Sequence, residues 1–179
     1  MAPGVQGKAA RCEPTGAPPQ REVDVDEKAQ RRRAYALRER MTAMPQPLVL
    51  LAEDDDDVRR LVATALRKDG HSVIEARDGD DLVEHIGSAL LFGHVRGELD
   101  PVAMVISDIR MPGPDGLEVL AQLRQSDIDV AVILMSAHAD PATRAQAERL
   151  GANAFVAKPF EIDELCGVVR DLLAASAHG

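Results

Sequence analysis

Four short apolar runs in this 179-residue chain stop abruptly at charged or hydroxyl residues, and that repeat constrains the fold more than any single motif does. Leu48–Ala52 runs into Glu53 and Asp54, and Val102–Ile106 into Ser107 and Asp108. Val130–Met135 runs into Ser136, and Ala154–Ala157 into Lys158 and Pro159. Amphipathic segments separate the runs. After the first, Val58, Leu61, Val62, Ala65 and Leu66 recur at helical spacing, with Gly70 as a stop. His71–Glu75 reads as a short second strand, ending in Glu75 and Ala76 with no evident contribution to a site. Asp78-Gly79-Asp80 then opens a helix with Leu82, Val83, Ile86 and Leu90 inward. A long polar connection, Gly93 to Pro101, leads to the strand at 102–106. Leu117, Val119, Leu120 and Leu123 mark a third helix, and 130–135 a fourth strand. Asp140 as N-cap and Pro141 at the first helical position open a fourth helix that ends at Gly151. A strand at 153–157 and a helix with Ile162, Leu165, Cys166, Val169, Leu172 and Leu173 inward complete the pattern.

Strands alternating with helices imply one parallel sheet with helices on both faces, and uninterrupted apolar runs suit strands buried on both sides. The fold class is therefore α/β, a doubly wound (βα)5 sheet over residues 47–175, with a tail at 176–179. In such open sheets ligands bind outside the carboxyl ends of the strands, where strand order reverses. All four polar stops lie at carboxyl ends.

Composition narrows the class. Hydrophobic residues make up 45% of the chain, but its aromatics are only Tyr35, Phe92, Phe155 and Phe160, so the core is aliphatic. No run approaches the roughly 20 apolar residues needed to cross a bilayer, and the first residues form no apolar signal segment, which predicts a cytoplasmic protein with no membrane partner. Cys12 and Cys166 do not make a disulfide framework, and Cys166 reads as a small core residue. Residues 1–46 hold nine Lys/Arg against six Asp/Glu, whereas residues 47–179 hold twelve against twenty-four. An acidic body is a poor binder of nucleic-acid phosphates, so no direct nucleic-acid partner is expected. The proline- and glycine-rich start predicts an extension, 1–46, that is disordered or partly helical around Arg31-Arg32-Arg33. Met41 and Met44 precede the first strand and are candidate translation starts.

Glu53 and Asp54 directly follow the first strand, so their side chains lie at the sheet edge. Two carboxylates about 4 Å apart repel by roughly 4 kcal/mol at an effective dielectric of 20, and Asp108 nearby adds to it. A hard divalent cation with oxygen ligands, water and phosphate oxygens around it relieves that repulsion, which suits Mg²⁺. Asp56 and Asp57 fit better as acidic residues at a helix N-terminus. Taken singly, Asp108 could be a turn former before Met111-Pro112-Gly113-Pro114-Asp115-Gly116, Ser136 a capping hydroxyl and Lys158 a loop lysine. Their occurrence together at strand ends of one sheet is specific.

The motifs Leu-Leu-Ala-Glu53-Asp54-Asp55, Ile-Ser-Asp108-Ile-Arg-Met111-Pro112, Asp115-Gly116, Met-Ser136-Ala137 and Lys158-Pro159-Phe160 resemble the response-regulator receiver domain of two-component signalling, over residues 47–175. The resemblance implies a flavodoxin-like sheet of order 2-1-3-4-5 and an Asp108 that accepts a phosphoryl group from a phosphohistidine. It also implies Mg²⁺ held by Glu53, Asp54, Asp108 and the backbone carbonyl of Arg110. By the same resemblance, Lys158 clamps a phosphoryl oxygen, Ser136 donates a hydrogen bond to another, the Lys158–Pro159 bond is cis, and Phe155 is the switch aromatic. Glu53 stands where Asp is commoner, Ser136 where Thr occurs, and Arg110 and His138 occupy variable positions beside the phosphoryl group.

The implied partners are a histidine kinase or phosphotransfer protein, and an effector that reads the fourth helix, fifth strand and fifth helix; self-association into a homodimer stays open. Few residues follow the fifth helix, so a single-domain regulator is expected, a phosphoacceptor and not an enzyme. A phosphorelay intermediate, a phosphate sink and a pseudo-receiver that is never phosphorylated are the alternatives. A haloacid dehalogenase-type hydrolase also uses Asp, Ser/Thr, Lys and Mg²⁺, but it needs a second Asp two residues after the nucleophile, where this chain has Arg110.

Overall fold

The computed structural model describes residues 46–96, 102–138 and 140–176, with side chains from 90 to 96 outside that description. These residues belong to the second of two compact units, Met44–Gly179. The expectations for the amino-terminal extension, the final tail residues and an inward Leu90 lie outside the described residues.

Five strands and five helices alternate: β1 (Leu48–Ala52), α1 (Asp56–Lys68), β2 (Ser72–Ala76), α2 (Gly79–Arg96), β3 (Val102–Asp108), α3 (Gly116–Gln125), β4 (Ala131–Ser136), α4 (Pro141–Arg149), β5 (Ala154–Ala157) and α5 (Ile162–Ser176). The strands form one sheet of order 2-1-3-4-5, with every pairing parallel. The fold expected from the sequence is the fold observed. Chain order reverses between β1 and β3, the switch point at which α/β sheets bind ligands.

Alternate residues of the central strands feed opposite faces, as the period of two requires. Leu50, Ala52, Val105, Val132 and Leu134 pack with Leu82, Leu117, Val119, Leu120 and Leu123 on the face covered by α2 and α3. Val49, Leu51, Met104, Ile106, Ile133 and Met135 pack with Val62, Ala63, Leu66, Leu165, Cys166 and Val169 of α1 and α5 on the other. Cys166 is core, and burial pushes its thiol pKa up. No helix among the described residues is long and apolar enough to cross a membrane.

The helix signals hold at the predicted positions. Asp55 caps α1 by accepting from Asp57 N–H and Val58 N–H, and Asp56 and Asp57 fill its first turn. Asp140 caps α4 ahead of Pro141, and Gly70 and Gly151 follow the C-caps of α1 and α4 with positive φ. Two inward assignments fail. Leu61 is 57% exposed and Val83 38% exposed. In α1 the buried stripe is Arg59, Val62, Ala63 and Leu66, so the inward face is turned by one residue from the purely apolar set. Strand ends also shift by a residue or two, and β3 includes Ser107 and Asp108. α2 continues through Arg96, taking up part of the expected Gly93–Pro101 connection; Gly87 and Gly93 each cost about 1 kcal/mol in a helix, too little to end one without a proline.

Candidate functional site

Register brings the strand ends together. Ala52 lies opposite Ser107, so Glu53 and Asp108 follow side by side at the end of β1 and β3. Asp108 lies opposite Met135, which places Ser136 next, and Ser136 lies opposite Ala157, which places Lys158 one step on. The Lys158 N–H donates to the Ser136 carbonyl at 2.8 Å, extending that ladder beyond β5. The Lys158–Pro159 peptide is cis.

Glu53, Asp108 and Ser136 are buried and Asp54 is exposed. One carboxylate oxygen each from Glu53, Asp54 and Asp108 lie within 4.8 Å of one another. Lys158 Nζ sits 2.6 Å from Glu53 Oε2 and 3.1 Å from Asp108 Oδ1. Burial raises the Glu53 pKa above the ordinary carboxylate value, and the bond to Lys158 offsets this only in part. Burial likewise raises Asp108; Lys158 pulls the other way, while the charge of Asp54 adds to the rise. For Lys158, burial alone would favour the neutral amine, but the two carboxylates outweigh it and hold the pKa above its usual value.

Three carboxylates against one ammonium leave a surplus of negative charge at a half-closed edge. Every available donor in that cluster is a hard oxygen, and the exposed Asp54 leaves one side open to water or a phosphoryl group, a donor set that fits Mg²⁺. A softer metal would call for imidazole or thiolate, which this cluster lacks.

Loops around the carboxylates are pinned by backbone. The Ile109 N–H donates to the Met135 carbonyl at 2.9 Å, and the Gly116 N–H to the Ile109 carbonyl at 3.1 Å. A Cβ at Gly116 would lie 2.5 Å from the Asp108 carbonyl, so α3 approaches the end of β3 as closely as only glycine permits. Asp115 completes a capping box with Glu118 at the start of that helix. Ser136 Oγ donates to the His138 carbonyl and accepts from the His138 N–H, both at 3.1 Å. Arg110 and His138 are exposed. Phe155, half-buried on β5 opposite Leu134, carries the Arg144 guanidinium 4.8 Å above its ring. The structure thus gathers Glu53, Asp54, Asp108 and Lys158 into direct contact or near-contact, sets Ser136 on the adjoining strand end, and leaves Phe155 three residues before Lys158.

Sequence reasoning missed Arg59 and Glu75. Arg59, 6% exposed, donates to the Glu53 carbonyl at 2.7 Å, bonds Asp56 and lies 3.7 Å from Glu75 Oε2. β2 is thus linked to the Glu53 backbone indirectly, through Glu75 and Arg59. A signal existed: Arg59 precedes Val62, Ala63 and Leu66 by three, four and seven residues, the spacing of one helix face.

A 2-1-3-4-5 parallel sheet with clustered carboxylates and an ammonium at its carboxyl edge defines a doubly wound α/β protein with an acidic cluster at the switch point. Residues 49–170 match the family model described as response regulator receiver domain, and the chain belongs to that family. It is a receiver domain of a two-component response regulator, and receiver domains bind Mg²⁺ through acidic residues such as these. Among curated proteins it is similar to the regulatory protein AtoC of Escherichia coli, 35% identical over 74% of this chain and 26% of AtoC. It is also similar to the C4-dicarboxylate transport transcriptional regulatory protein DctD of Pseudomonas aeruginosa, 38% identical over 72% of this chain and 25% of DctD. The chain spans about a quarter of the length of these two relatives. Among solved structures, the receiver domain of the Francisella response regulator 1452 superposes with a TM-score of 0.63, at 26% identity, over 73% of this chain and 99% of that one.

Proposed function

We propose that this chain accepts a phosphoryl group on Asp108 from a phosphohistidine of a histidine kinase or phosphotransfer protein, and thereby switches a protein-interaction surface. The observation that carries the reading is the buried Asp108 carboxylate, which ends a central strand 3.1 Å from Lys158 Nζ and clusters with Glu53 and Asp54. An Asp108 oxygen attacks phosphorus in line with the P–N bond; that bond breaks, and the donor histidine leaves as neutral imidazole when its other nitrogen is protonated. Positioning and charge neutralisation supply most of the rate in such transfers. Glu53, Asp54, Asp108 and the Arg110 carbonyl would hold a Mg²⁺ whose charge, when bound, offsets theirs and that of the phosphoryl oxygens. Lys158, already beside Asp108, pairs with one phosphoryl oxygen, and Ser136 leaves its bonds to His138 to donate to another. Phe155 then turns into the space Ser136 vacates, changing the α4–β5–α5 face that an effector protein reads.

On this reading the chain is a phosphoacceptor acting in the cytoplasm, with no substrate of its own to turn over and no direct contact with nucleic acid. Incubation with acetyl phosphate and Mg²⁺ followed by intact mass tests it. One phosphoryl group is expected on the wild type and none on Asp108→Ala. A wild type that stays unmodified with acetyl phosphate and with a phosphorylated histidine donor overturns the reading.

A further inference from the structure

We propose that Arg59 is a positioning residue for the divalent-cation site: from the far side of the β1–α1 loop it fixes the peptide that aims Glu53 and Asp54. The inference rests on reading the carboxylate cluster as a cation site, and it adds a residue outside that cluster. The two peptides that flank the Glu53 α-carbon are each held. The Glu53 N–H donates to the Ala76 carbonyl at 3.2 Å, and the Glu53 carbonyl accepts from Arg59 at 2.7 Å. Arg59 holds the second of these, the Glu53–Asp54 peptide, and rotation of that plane would swing the Asp54 side chain that follows it.

Arg59 is itself fixed from two further sides. It bonds the Asp56 carboxylate at the first turn of α1, and its Nε lies 3.7 Å from Glu75 Oε2 at the end of β2. Glu75 is held in turn by Arg67, whose two terminal nitrogens bond Glu75 Oε1 at 2.8 Å and the Val73 carbonyl at 2.9 Å. A guanidinium presents several donors in a rigid plane, so a single side chain serves the loop, the helix and the edge strand at once; an ammonium cannot reproduce this geometry. Partners that orient metal ligands from outside the coordination set typically change metal affinity by about 10- to 100-fold when removed.

Arg67 separates positioning from simple stability. It ties α1 to the same Glu75 and to β2, but it makes no bond to Glu53. The test is calorimetric titration of the full chain with Mg²⁺, paired with thermal unfolding in a chelator. The set comprises the wild type, Asp54→Asn, Arg59→Ala, Arg59→Lys and Arg67→Ala. Expected are Mg²⁺ binding by the wild type, its loss in Asp54→Asn, affinity about tenfold weaker in Arg59→Ala, and an intermediate loss in Arg59→Lys. Arg67→Ala is expected to lower the melting temperature and to weaken Mg²⁺ binding less than Arg59→Ala does, since Arg67 reaches the Glu53 carbonyl only through Glu75 and Arg59. The proposal is overturned by an Arg59→Ala affinity within about twofold of wild type, by an equal loss in Arg67→Ala, or by failure of both Arg59 variants to fold, which would make the residue a requirement of the fold. A wild type that binds no Mg²⁺ removes the cation-site reading itself, an outcome the Asp54→Asn comparison keeps distinct.

Discussion

Asp108 is held under two opposed demands. The phosphoryl transfer proposed for it requires it ionised, beside Lys158 and two other carboxylates, while burial favours its neutral form. Because the folded pKa lies above the free value of 3.8, the native chain binds that proton more tightly than the unfolded chain does. Stability from this group is full below the free value and declines as pH rises through the folded one. Asp108→Asn removes the charge and keeps the shape. In chelator at pH 7 it is expected to melt above wild type. The gap should close as the buffer is taken down towards pH 4 and shrink again when Mg²⁺ is added to the wild type. A variant that melts below wild type at pH 7 would show that Asp108 stabilises the fold through Lys158 more than its burial costs. Arg110, two residues after Asp108, and His138, two after Ser136, are exposed, and on the proposed function they border the path of water to the acyl phosphate. Arg110→Ala and His138→Ala are each expected to speed loss of the phosphoryl group several-fold, followed by intact mass after removal of the donor; unchanged rates would take the two residues out of that path.

Elements were legible where one physical signal dominated. The central strands are buried on both sides, and Leu48–Ala52 reads as such because every residue is apolar; Asp140-Pro141 reads as a helix start because both residues favour that position. Placing Asp108, Ser136 and Lys158 at carboxyl ends of one sheet followed from the alternation of strands and helices, whereas making their strands neighbours needed the order 2-1-3-4-5 that the resemblance implied. Arg59 stayed hidden because a charged residue on an amphipathic helix defaults to the solvent face, and only its spacing to Val62 and Leu66 argues otherwise. Leu61 misled for the mirror reason, since an apolar side chain on a helix flank costs little when left exposed. Arg124 was equally silent. It bonds the Ile128 carbonyl at 2.9 Å, and the Val130 and Gly151 carbonyls at 3.0 Å each, tying α3 to the loops before β4 and β5. Those loops enter the sheet at the edge opposite the carboxylates. Arg124→Ala should therefore cost about 3 kcal/mol in urea unfolding, the loss of several charge-assisted bonds, while the rate of phosphorylation by acetyl phosphate below the melting range stays that of wild type. A slowed rate in this variant would mean that the two edges are energetically coupled.

Across the whole molecule, the function proposed for this domain requires a local charge change at one edge to alter a surface formed by α4, β5 and α5. A packed sheet does not deform continuously, so the change needs an element with two arrangements. Phe155 is suited to that part, half-buried on the outer strand with the Arg144 guanidinium 4.8 Å above its ring. Such a contact at a partly exposed site is worth about 0.5–1 kcal/mol, and it favours the ring position seen with Ser136 turned to His138. If the ring must leave that position for Ser136 to serve the phosphoryl group, removing the guanidinium shifts the equilibrium towards the phosphorylation-competent arrangement. By linkage, the phosphorylation rate then rises in proportion to the population of that arrangement, while that population stays small. Arg144→Ala is thus expected to react with acetyl phosphate roughly two- to fivefold faster than wild type, the factor that 0.5–1 kcal/mol represents. Phe155→Ala should still be phosphorylated on Asp108, but hydrogen exchange in α4 should no longer respond to the modification. An Arg144→Ala rate equal to or below wild type would break the link between the ring and the site, leaving Phe155 as a packing residue of the β5 edge.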